Sequence, residues 1–187
     1  MTLSTVDGAK TIEPQTWQMG VATSLQQNNP FSATLGIPVP QAEFQLRYGL
    51  REHVDIGTRI YLGGILTDVR YQFWQQGEWT FAIAPGVGGL ASPIGGIMDL
   101  RMPIRAQRSL SPKVDFITGI VPVSQNTFVL LPGSRENYMN NYIGSFARLQ
   151  FDVGSVRLGT TFDVLDHSSR GLIPSWNLGF DISFQRQ

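Results

Sequence analysis

Charged side chains recur at every second position in many stretches of this 187-residue chain. In the stretch VDIGTRIYL, Asp55 and Arg59 fall on the same face of an extended backbone, and in TDVRYQFW so do Asp68 and Arg70. Nearly all of the 14 basic residues are arginine. Arginine suits confined, multiply hydrogen-bonded pairs with carboxylates, whereas lysine is common on solvated surfaces. The pattern therefore predicts ion pairs in an enclosed space.

The charges on these polar faces are nearly balanced in sign. The predicted charge network consists of arginines and carboxylates at Glu43, Arg47, Asp55, Arg59, Asp68, Arg70, Asp99, Arg101, Arg105, Asp115, Arg148, Asp152, Arg157, Asp163 and Asp181. A charge-selective pore needs an excess of one sign along its path, so this balance favours groups that neutralise one another in a low-dielectric interior. We expect Arg157 to lie across from the region of Asp152 to Gln150 in a hairpin that turns around Gly154, so that the charges of Asp152 and Arg157 can meet across neighbouring strands.

Catalytic candidates are few, since the chain has two histidines and no cysteine. His53 lies in the short turn REHV, where a solvated side chain is expected. His167 stands beside Asp163, Asp166 and Ser168, and a histidine base of this kind can activate water or a serine hydroxyl. However, adjacent strand residues point to opposite faces, so Asp166 and His167 would not aim at one substrate. We predict no catalytic residue, and two isolated histidines predict neither a metal site nor a cofactor.

Ten stretches alternate apolar with polar or small residues and are predicted to be strands, while no run shows the recurrence of an amphipathic helix. In chain order they are WQMGVATS, AEFQLRYGL, VDIGTRIYL, TDVRYQFW, WTFAIAPGV, IMDLRMPIRAQ, VDFITGIVPV, IGSFARLQFDV, SVRLGTTFDV and SWNLGFDISF. The seventh is the weakest, because Ile117 and Val121 make both of its faces apolar and Pro122 cannot donate to a ladder.

The connections between these strands fall into two sets. Those after strands two, four, six and eight are short (REH, QQGE, SLSPK and DVGS), while the long set covers residues 25–40, 88–96, 125–140 and 165–174. A turn at Gly63 and Gly64 is the exception on the long-loop side. Short periplasmic turns on one rim and longer loops on the other are typical of outer-membrane barrels. An even number of strands also places both termini on the short-turn side.

The apolar faces carry most of the large side chains, among them Trp17, Trp79, Trp176 and Phe180. A barrel of about eight strands is already filled by its inward side chains, so ten strands add little room for this bulk. The polar faces are rich in glycine, which leaves space for long arginine side chains. We therefore predict that the apolar faces meet lipid, with aromatic residues such as Trp17 and Tyr48 in interfacial girdles. A soluble lipocalin-like carrier of an apolar ligand is the alternative, because alternation alone is symmetric between the two.

Bulk composition excludes two other classes of protein. The formal net charge is zero, so there is no general electrostatic case for nucleic-acid binding. No stretch approaches the roughly 20 consecutive apolar residues of a membrane helix. We expect one domain over residues 1–187, with residues 1–15 as a flexible N-terminal segment. Because the first twenty residues lack a basic start and an apolar stretch, we also expect any export signal to have been removed.

The C-terminal strand has a polar residue, a glycine, a hydrophobic residue and an aromatic residue in alternation, at Asn177, Gly179, Ile182 and Phe184. This pattern resembles the assembly signal of the small bacterial outer-membrane β-barrel proteins. Members of that class usually end on the aromatic residue, whereas residues 185–187 follow here. The resemblance implies export, insertion by the barrel-assembly machinery and residence in the bacterial outer membrane, but it names no activity.

The sequence thus predicts an all-β fold, a single antiparallel up-and-down transmembrane barrel of about ten strands, with eight or twelve as alternatives. The predicted protein is non-enzymatic and monomeric, and its charged lumen is filled or narrow. Its role would lie in small-solute passage, surface binding or envelope structure, with the lipid bilayer and the barrel-assembly machinery as partners. An outer-membrane hydrolase using His167 and the soluble carrier remain alternatives.

Overall fold

The computed structural model describes residues 8–26, 39–61, 64–92, 95–131, 134–153, 156–167 and 171–184. These residues form twelve strands, which are β1 (Trp17–Gln26), β2 (Val39–Arg51), β3 (Val54–Tyr61), β4 (Gly64–Gln76), β5 (Trp79–Ile83), β6 (Gly86–Ser92), β7 (Gly95–Arg101), β8 (Ile104–Ser111), β9 (Val114–Leu131), β10 (Ser134–Val153), β11 (Val156–His167) and β12 (Gly171–Phe184). Over the same ranges, no helix has the length and apolar character that crossing a membrane requires.

The twelve strands make a closed ring of ten barrel strands. β5 and β6 lie end to end and pair with the two halves of β4, and β7 and β8 lie end to end and pair with the two halves of β9. Each of these two pairs is therefore one interrupted barrel strand. All pairings are antiparallel, β9 pairs with β10, and β12 pairs with β1 to complete the ring. The predicted antiparallel barrel of about ten strands is confirmed.

Prolines cause both interruptions. Pro85 separates β5 from β6, Pro103 separates β7 from β8, and Pro122 lies within β9 on the neighbouring barrel strand. A proline has no N–H to donate to a ladder, but its carbonyl still accepts. Three backbone bonds use these carbonyls: Val69 N–H to Pro85 O (3.0 Å), Ala84 N–H to Pro103 O (2.9 Å) and Met102 N–H to Pro122 O (3.1 Å). The barrel wall is thus continuous through the breaks, and the weakest predicted strand is part of β9.

The two faces of the wall differ in polarity as the alternation predicted. Along β10, Arg148 and Gln150 are buried in the lumen, whereas Leu149 and Phe151 are 39 % and 43 % exposed on the outside. The outward side chains of the other strands repeat this pattern, with Ile60 and Leu100 more than half exposed. A contiguous apolar surface of this extent marks a membrane-facing wall. It also removes the basis for the soluble carrier, because the apolar face is outside and the charged face is inside.

Aromatic side chains lie at the rim that carries the short turns. The rings of Trp17 and Tyr48 are 4.6 Å apart, and the guanidinium of Arg108 lies 5.6 Å from the centre of the Trp79 ring. Aromatic and arginine side chains at this level fit the interface between hydrocarbon and headgroups. The side chain of Trp176, another large residue of the predicted apolar faces, is outside the described residues.

Most of the predicted long loops are wrong, because the strands extend into them. Residues 88–92 belong to β6 and 95–96 to β7, residues 125–131 to β9 and 134–140 to β10, and residues 165–167 to β11 and 171–174 to β12. The 18 and 20 residues of β9 and β10 exceed the roughly 9 to 11 that span a bilayer, so this hairpin continues beyond the membrane. Cross-strand hydrogen bonds between its arms keep it extended. The loop predicted at residues 25–40 falls mostly on residues 27–38, outside the described residues.

Candidate functional site: a charged and occupied lumen

The centre of the charge network is the carboxylate of Asp55 on β3. Arg47 on β2 donates to Asp55 Oδ1 from Nε (3.0 Å) and Nη2 (2.5 Å), and Arg70 on β4 donates to Oδ2 from Nε (3.0 Å) and Nη2 (2.5 Å). Two guanidinium groups therefore hold one carboxylate through paired bonds, the geometry that arginine favours. All three side chains are buried.

The network continues to Asp68 on β4. Arg47 Nη2 also lies 2.6 Å from Asp68 Oδ1, and Arg59 Nη2 lies 3.2 Å from Asp68 Oδ2. The charges of Arg70, Asp55, Arg47, Asp68 and Arg59 thus alternate in sign along one connected chain. Strand register explains it, since neighbouring inward positions on β2, β3 and β4 lie side by side.

Glycine makes room for the long side chains of this network. A Cβ atom added to Gly57 would lie 2.3 Å from Arg47 Nη1, and one added to Gly159 would lie 2.3 Å from Arg148 Nη2. Gly57 is the cross-strand partner of Arg47, and Gly159 is the partner of Gln150 on β10. The glycines on the polar faces therefore let guanidinium groups lie flat against the opposite strand.

The other charged residues of the described lumen, apart from Asp152, are buried as well. Asp99 pairs with Arg101 on the same strand (Nη2 to Oδ2, 2.5 Å), and Asp115 accepts from Gln107 Nε2 at 2.8 Å and from Ser109 Oγ at 2.7 Å. Three more charged side chains are buried and make interactions within the lumen, namely Glu43, Arg105 and Arg148. Asp152 is half-buried and accepts a long 3.4 Å bond from Gln150.

Three members of the predicted network have side chains outside the described residues, namely Arg157, Asp163 and Asp181. Their backbone positions are described. Arg157 is the direct cross-strand partner of Asp152 on β10 and of Asp181 on β12. The predicted alignment of Arg157 with Asp152 across the hairpin is therefore confirmed at the level of strand register.

An apolar cluster in the lumen was not predicted. Ile117, Val121 and Val123 of β9 pack with Tyr142 and Phe146 of β10, and all five are buried. The signal was present in the sequence, because the seventh predicted strand had two apolar faces. One of these faces points inward and fills the lumen between the charged groups. Tyr142 and Phe146 therefore fill part of the lumen without adding charge.

The N-terminal segment enters the lumen. Residues 8–16, here called the strap, precede β1 and turn back through Gln15, whose φ is 61°. Thr16 N–H donates to Glu13 O (3.2 Å), and Gln15 N–H donates to Gly49 O (2.8 Å) at the end of β2. A Cβ on Gly49 would lie 2.1 Å from Glu13 O, so glycine permits this close approach. The turn directs residues 8–12 inward from the short-turn rim.

Inside the lumen the strap is held mainly through its backbone. Ile12 N–H donates to Asp55 Oδ2 (3.0 Å), and Ala9 N–H and Lys10 N–H donate to Gln107 Oε1 (2.8 and 3.1 Å). Arg70 Nη1 donates to the carbonyl of Gly8 at 2.7 Å. Ala9 is fully buried. The expected flexibility of residues 1–15 stays a prediction, and residues 8–12 make these bonds in the structure.

The gap between the Asp68–Arg59 pair and Arg101 is small. A cavity of about 10 Å³ lies among Arg59, Leu66, Asp68, Ala84, Gly86, Arg101, Pro103 and Val121. A volume of this size holds about one water molecule. This cavity therefore provides no room for an organic solute between Arg59 and Arg101, whereas a more open cleft of about 390 Å³ borders Arg101, Val123 and Tyr142.

The candidate residues for other chemistry do not form a site in the described residues. His53 is exposed in the turn between β2 and β3, with a φ of 65°. His167 ends β11, where its backbone pairs with Gly171, but its side chain is outside the description. Within the described ranges no group of three or more His, Cys, Asp or Glu side chains could hold a metal ion. The assembly-signal positions Asn177, Gly179, Ile182 and Phe184 lie in β12, and their recognition stays a prediction.

Comparisons with known proteins bear on the fold. No protein-family model matches the chain, and no curated protein sequence matches it. Among solved structures, it is similar to the KdgM porin in complex with disordered oligogalacturonate, with a TM-score of 0.50, 9 % identity, and coverage of 90 % of this chain and 99 % of that one. The outer membrane protease OmpT from Escherichia coli has a TM-score of 0.49 and 9 % identity, with coverage of 95 % of this chain and 100 % of that one. Ail from Yersinia pestis has a TM-score of 0.45 and 12 % identity, with coverage of 92 % of this chain and 100 % of that one.

The fold and the apolar outer face together are those of a bacterial outer-membrane β-barrel. The likeness to the porin extends over nearly the whole of both chains, which agrees with the closed ring of ten barrel strands. At 9 % identity it concerns the fold alone. The function of the lumen therefore depends on the side chains that fill it.

Proposed function

We propose that this chain is a non-enzymatic outer-membrane barrel whose lumen is closed at rest, and that it acts in envelope structure or surface binding. Passage of small solutes then requires the lumen contents to move. The observation that carries this proposal is the connected set of ion pairs around Asp55, together with the strap that binds the same carboxylate. Buried, ion-paired charges fill space and do not form a hydrated path.

The long β9–β10 hairpin supports the part of the proposal that concerns surface binding. Its outer half carries exposed polar and aromatic residues, including Asn137, Tyr138 and Asn141. Tyr138 and Glu136 are hydrogen-bonded side chains two residues apart on this arm. A paired, protruding hairpin presents a more fixed surface than a free loop, so it suits contact with a partner outside the membrane.

The architecture supports the proposed partners, which are the lipid bilayer and the barrel-assembly machinery. The ring of pairings leaves no barrel strand of the described residues with an unpaired edge, which favours a monomer surrounded by lipid. Closure between β1 and β12 is the last pairing in chain order, so insertion by the barrel-assembly machinery would end on this seam. The role of the C-terminal pattern in that process is part of the proposal.

Planar-bilayer recording tests the proposal. Purified full-length protein, shown to be inserted by its resistance to protease in vesicles, should give no current steps of porin size. Porins of 16 to 18 strands leave an aqueous channel, whereas about 8 strands are filled by side chains. Large, stable openings from inserted full-length protein would refute a closed lumen.

The hydrolase alternative depends on His167. It predicts that purified protein in lipid cleaves peptide or ester substrates and that His167→Ala abolishes the activity. The non-enzymatic proposal predicts no turnover above a detergent blank in either protein. Cleavage that disappears with His167→Ala would replace it.

A further inference from the structure

We propose that the mouth of the lumen at the short-turn rim is a binding site for a short peptide backbone, that the strap occupies it as a displaceable plug, and that its departure opens a path for small polar solutes. This inference rests on the proposed function, since it assumes a membrane-spanning barrel with a closed resting lumen. It goes further by naming the element that closes the lumen and the chemistry that holds it.

The strap crosses the lumen from one side of the ring to the other. Ile12 binds Asp55 on β3, Thr11 N–H donates to Gln72 Oε1 on β4 at 3.2 Å, and Ala9 binds Gln107 on β8. In the order of the ring, β8 is separated from β3 by β4 and β5. Lys10 extends the contact to β9, where its Nζ lies 3.9 Å from Asp115 Oδ1. A segment bonded to so wide an arc of the ring lies across the opening.

The wall groups recognise backbone and small residues. The carboxylate of Asp55 and the amide oxygen of Gln107 accept from peptide N–H groups, while Arg70 donates to a peptide carbonyl. A Cβ on Gly8 would lie 2.5 Å from Gln107 Oε1, so a larger residue there would have to displace this amide. The site therefore takes a peptide that bends where Ala9 and Lys10 both donate to Gln107 and that has a small residue at the position of Gly8, whether from this chain or supplied separately.

The plug can leave without unfolding the barrel. Every barrel strand in the described residues is paired on both sides by another barrel strand, and no strand depends on residues 8–12 for its ladder. The bonds that hold residues 8–12 come from wall side chains, which can turn to water or to one another when the strap moves. Such side-chain-anchored segments belong to the least stable parts of a fold and open locally.

Conductance of strap variants is the first test. Deletion of residues 1–12 should raise the mean current per inserted barrel at least about tenfold, because the Asp55, Arg70 and Gln107 side chains lose the strap as a partner and can turn to water that enters the lumen. Gln107→Ala, which removes the acceptor for Ala9 and Lys10, should give brief openings. Gln150→Ala removes a buried lumen glutamine that does not bond the strap in the described residues. This variant should therefore show the same low current as the unmodified full-length protein.

A steric variant avoids any change in lumen charge. Gly49→Ala places a methyl group against the backbone of Glu13 and should push the strap out and give openings. Gly89→Ala is the matched control, since the nearest described atom to its Cβ is Ile97 O at 3.2 Å, on the neighbouring strand. A synthetic peptide of residues 8–16, added on the short-turn side, should then block the current of the deletion variant, and a scrambled peptide should not.

Labelling supplies a readout that does not need current or deletion. In the cysteine-free chain, Ala9→Cys should react with a polar maleimide at least about 100-fold more slowly than Ser111→Cys at the exposed end of β8 on the same rim, because only the open state reacts. Adding Gly49→Ala should accelerate labelling at position 9 and leave position 111 unchanged. Equal labelling rates at positions 9 and 111, or a deletion variant that is inserted but carries no current, would contradict the displaceable plug. Neither result would contradict the proposal that the lumen is closed at rest. Porin-size openings of the full-length protein would instead overturn the proposed function.

Discussion

Replacing Asp55 by asparagine tests the energetic centre of the lumen. Asp55 is fully buried and accepts bonds from Arg47, Arg70 and the backbone of Ile12. An asparagine at position 55 would present one N–H₂ group to guanidinium groups that are themselves only donors. Arg47 keeps Asp68 as a partner, but Arg70 keeps, within the described residues, only the Gly8 carbonyl. One buried positive charge is thus left without a counter-charge.

The expected loss is large for so small a change in side-chain shape. Breaking a buried ion pair by removing one partner costs on the order of 3 to 5 kcal/mol, because the other charge stays buried. Urea unfolding of the refolded protein in phospholipid vesicles, followed by tryptophan fluorescence, measures this loss. Glu78→Gln is the control, because the side chains of Glu78 and Arg108, 3.4 Å apart, are 62 % and 47 % exposed and their pair should contribute only about 0 to 1 kcal/mol.

A double-mutant cycle separates the charge from the packing. Arg70→Gln alone should also destabilise, and the double variant Asp55→Asn with Arg70→Gln should lose less than the sum of the two single variants. If Asp55→Asn costs no more than Glu78→Gln, the lumen is wet, the ion pairs are screened, and the reasoning from burial fails.

The remaining predictions concern the wall and its packing. Leu158→Arg, on the outward face of β11, should lose about 2 to 4 kcal/mol in vesicles, and a loss near zero would mean that this face is not in lipid. Gly57→Ala should cost about 1 to 3 kcal/mol in urea unfolding, since its Cβ meets Arg47 at 2.3 Å, and unchanged stability would show that the guanidinium is free to move. Asp152→Asn and Arg157→Gln, aligned by register, should couple by more than about 1 kcal/mol if the lumen is closed there, whereas a coupling of a few tenths would indicate a wet lumen.

The number of barrel strands could be predicted because alternation is a local signal. Alternation within a single stretch also puts Arg148 and Leu149 on opposite faces, and the bulk of the apolar faces, which is too large for the lumen, then indicates that Leu149 lies outside. The Asp55 and Arg70 pair follows in the same way from two adjacent strands joined by a short connection. The alternation within each strand and the order of the strands were enough to predict that these charged side chains share one lumen.

The extended hairpin and the strap could not be predicted because their bonds are not local. Stretches such as ENYMNNY lack two distinct faces, so their pairing becomes visible only when the opposite arm of β9 is in place. Residues 8–12 have no periodicity, and their partners lie far along the chain, with a separation of 43 positions from Ile12 to Asp55 and of 98 from Ala9 to Gln107. Backbone groups that bind buried side chains leave no pattern in the sequence.

Spin-label accessibility along β10 tests the central claim that the apolar face meets lipid and the charged face lines the lumen. The chain has no native cysteine, so single cysteines at residues 143–151 can each carry one nitroxide. In phospholipid vesicles, collisions with dissolved oxygen, which is enriched in hydrocarbon, should alternate with a period of two residues. They should be high at the outward positions 143, 145, 147, 149 and 151 and low at the buried positions between them. High accessibility to a water-soluble nickel complex at Leu149, or no alternation at all, would contradict the account.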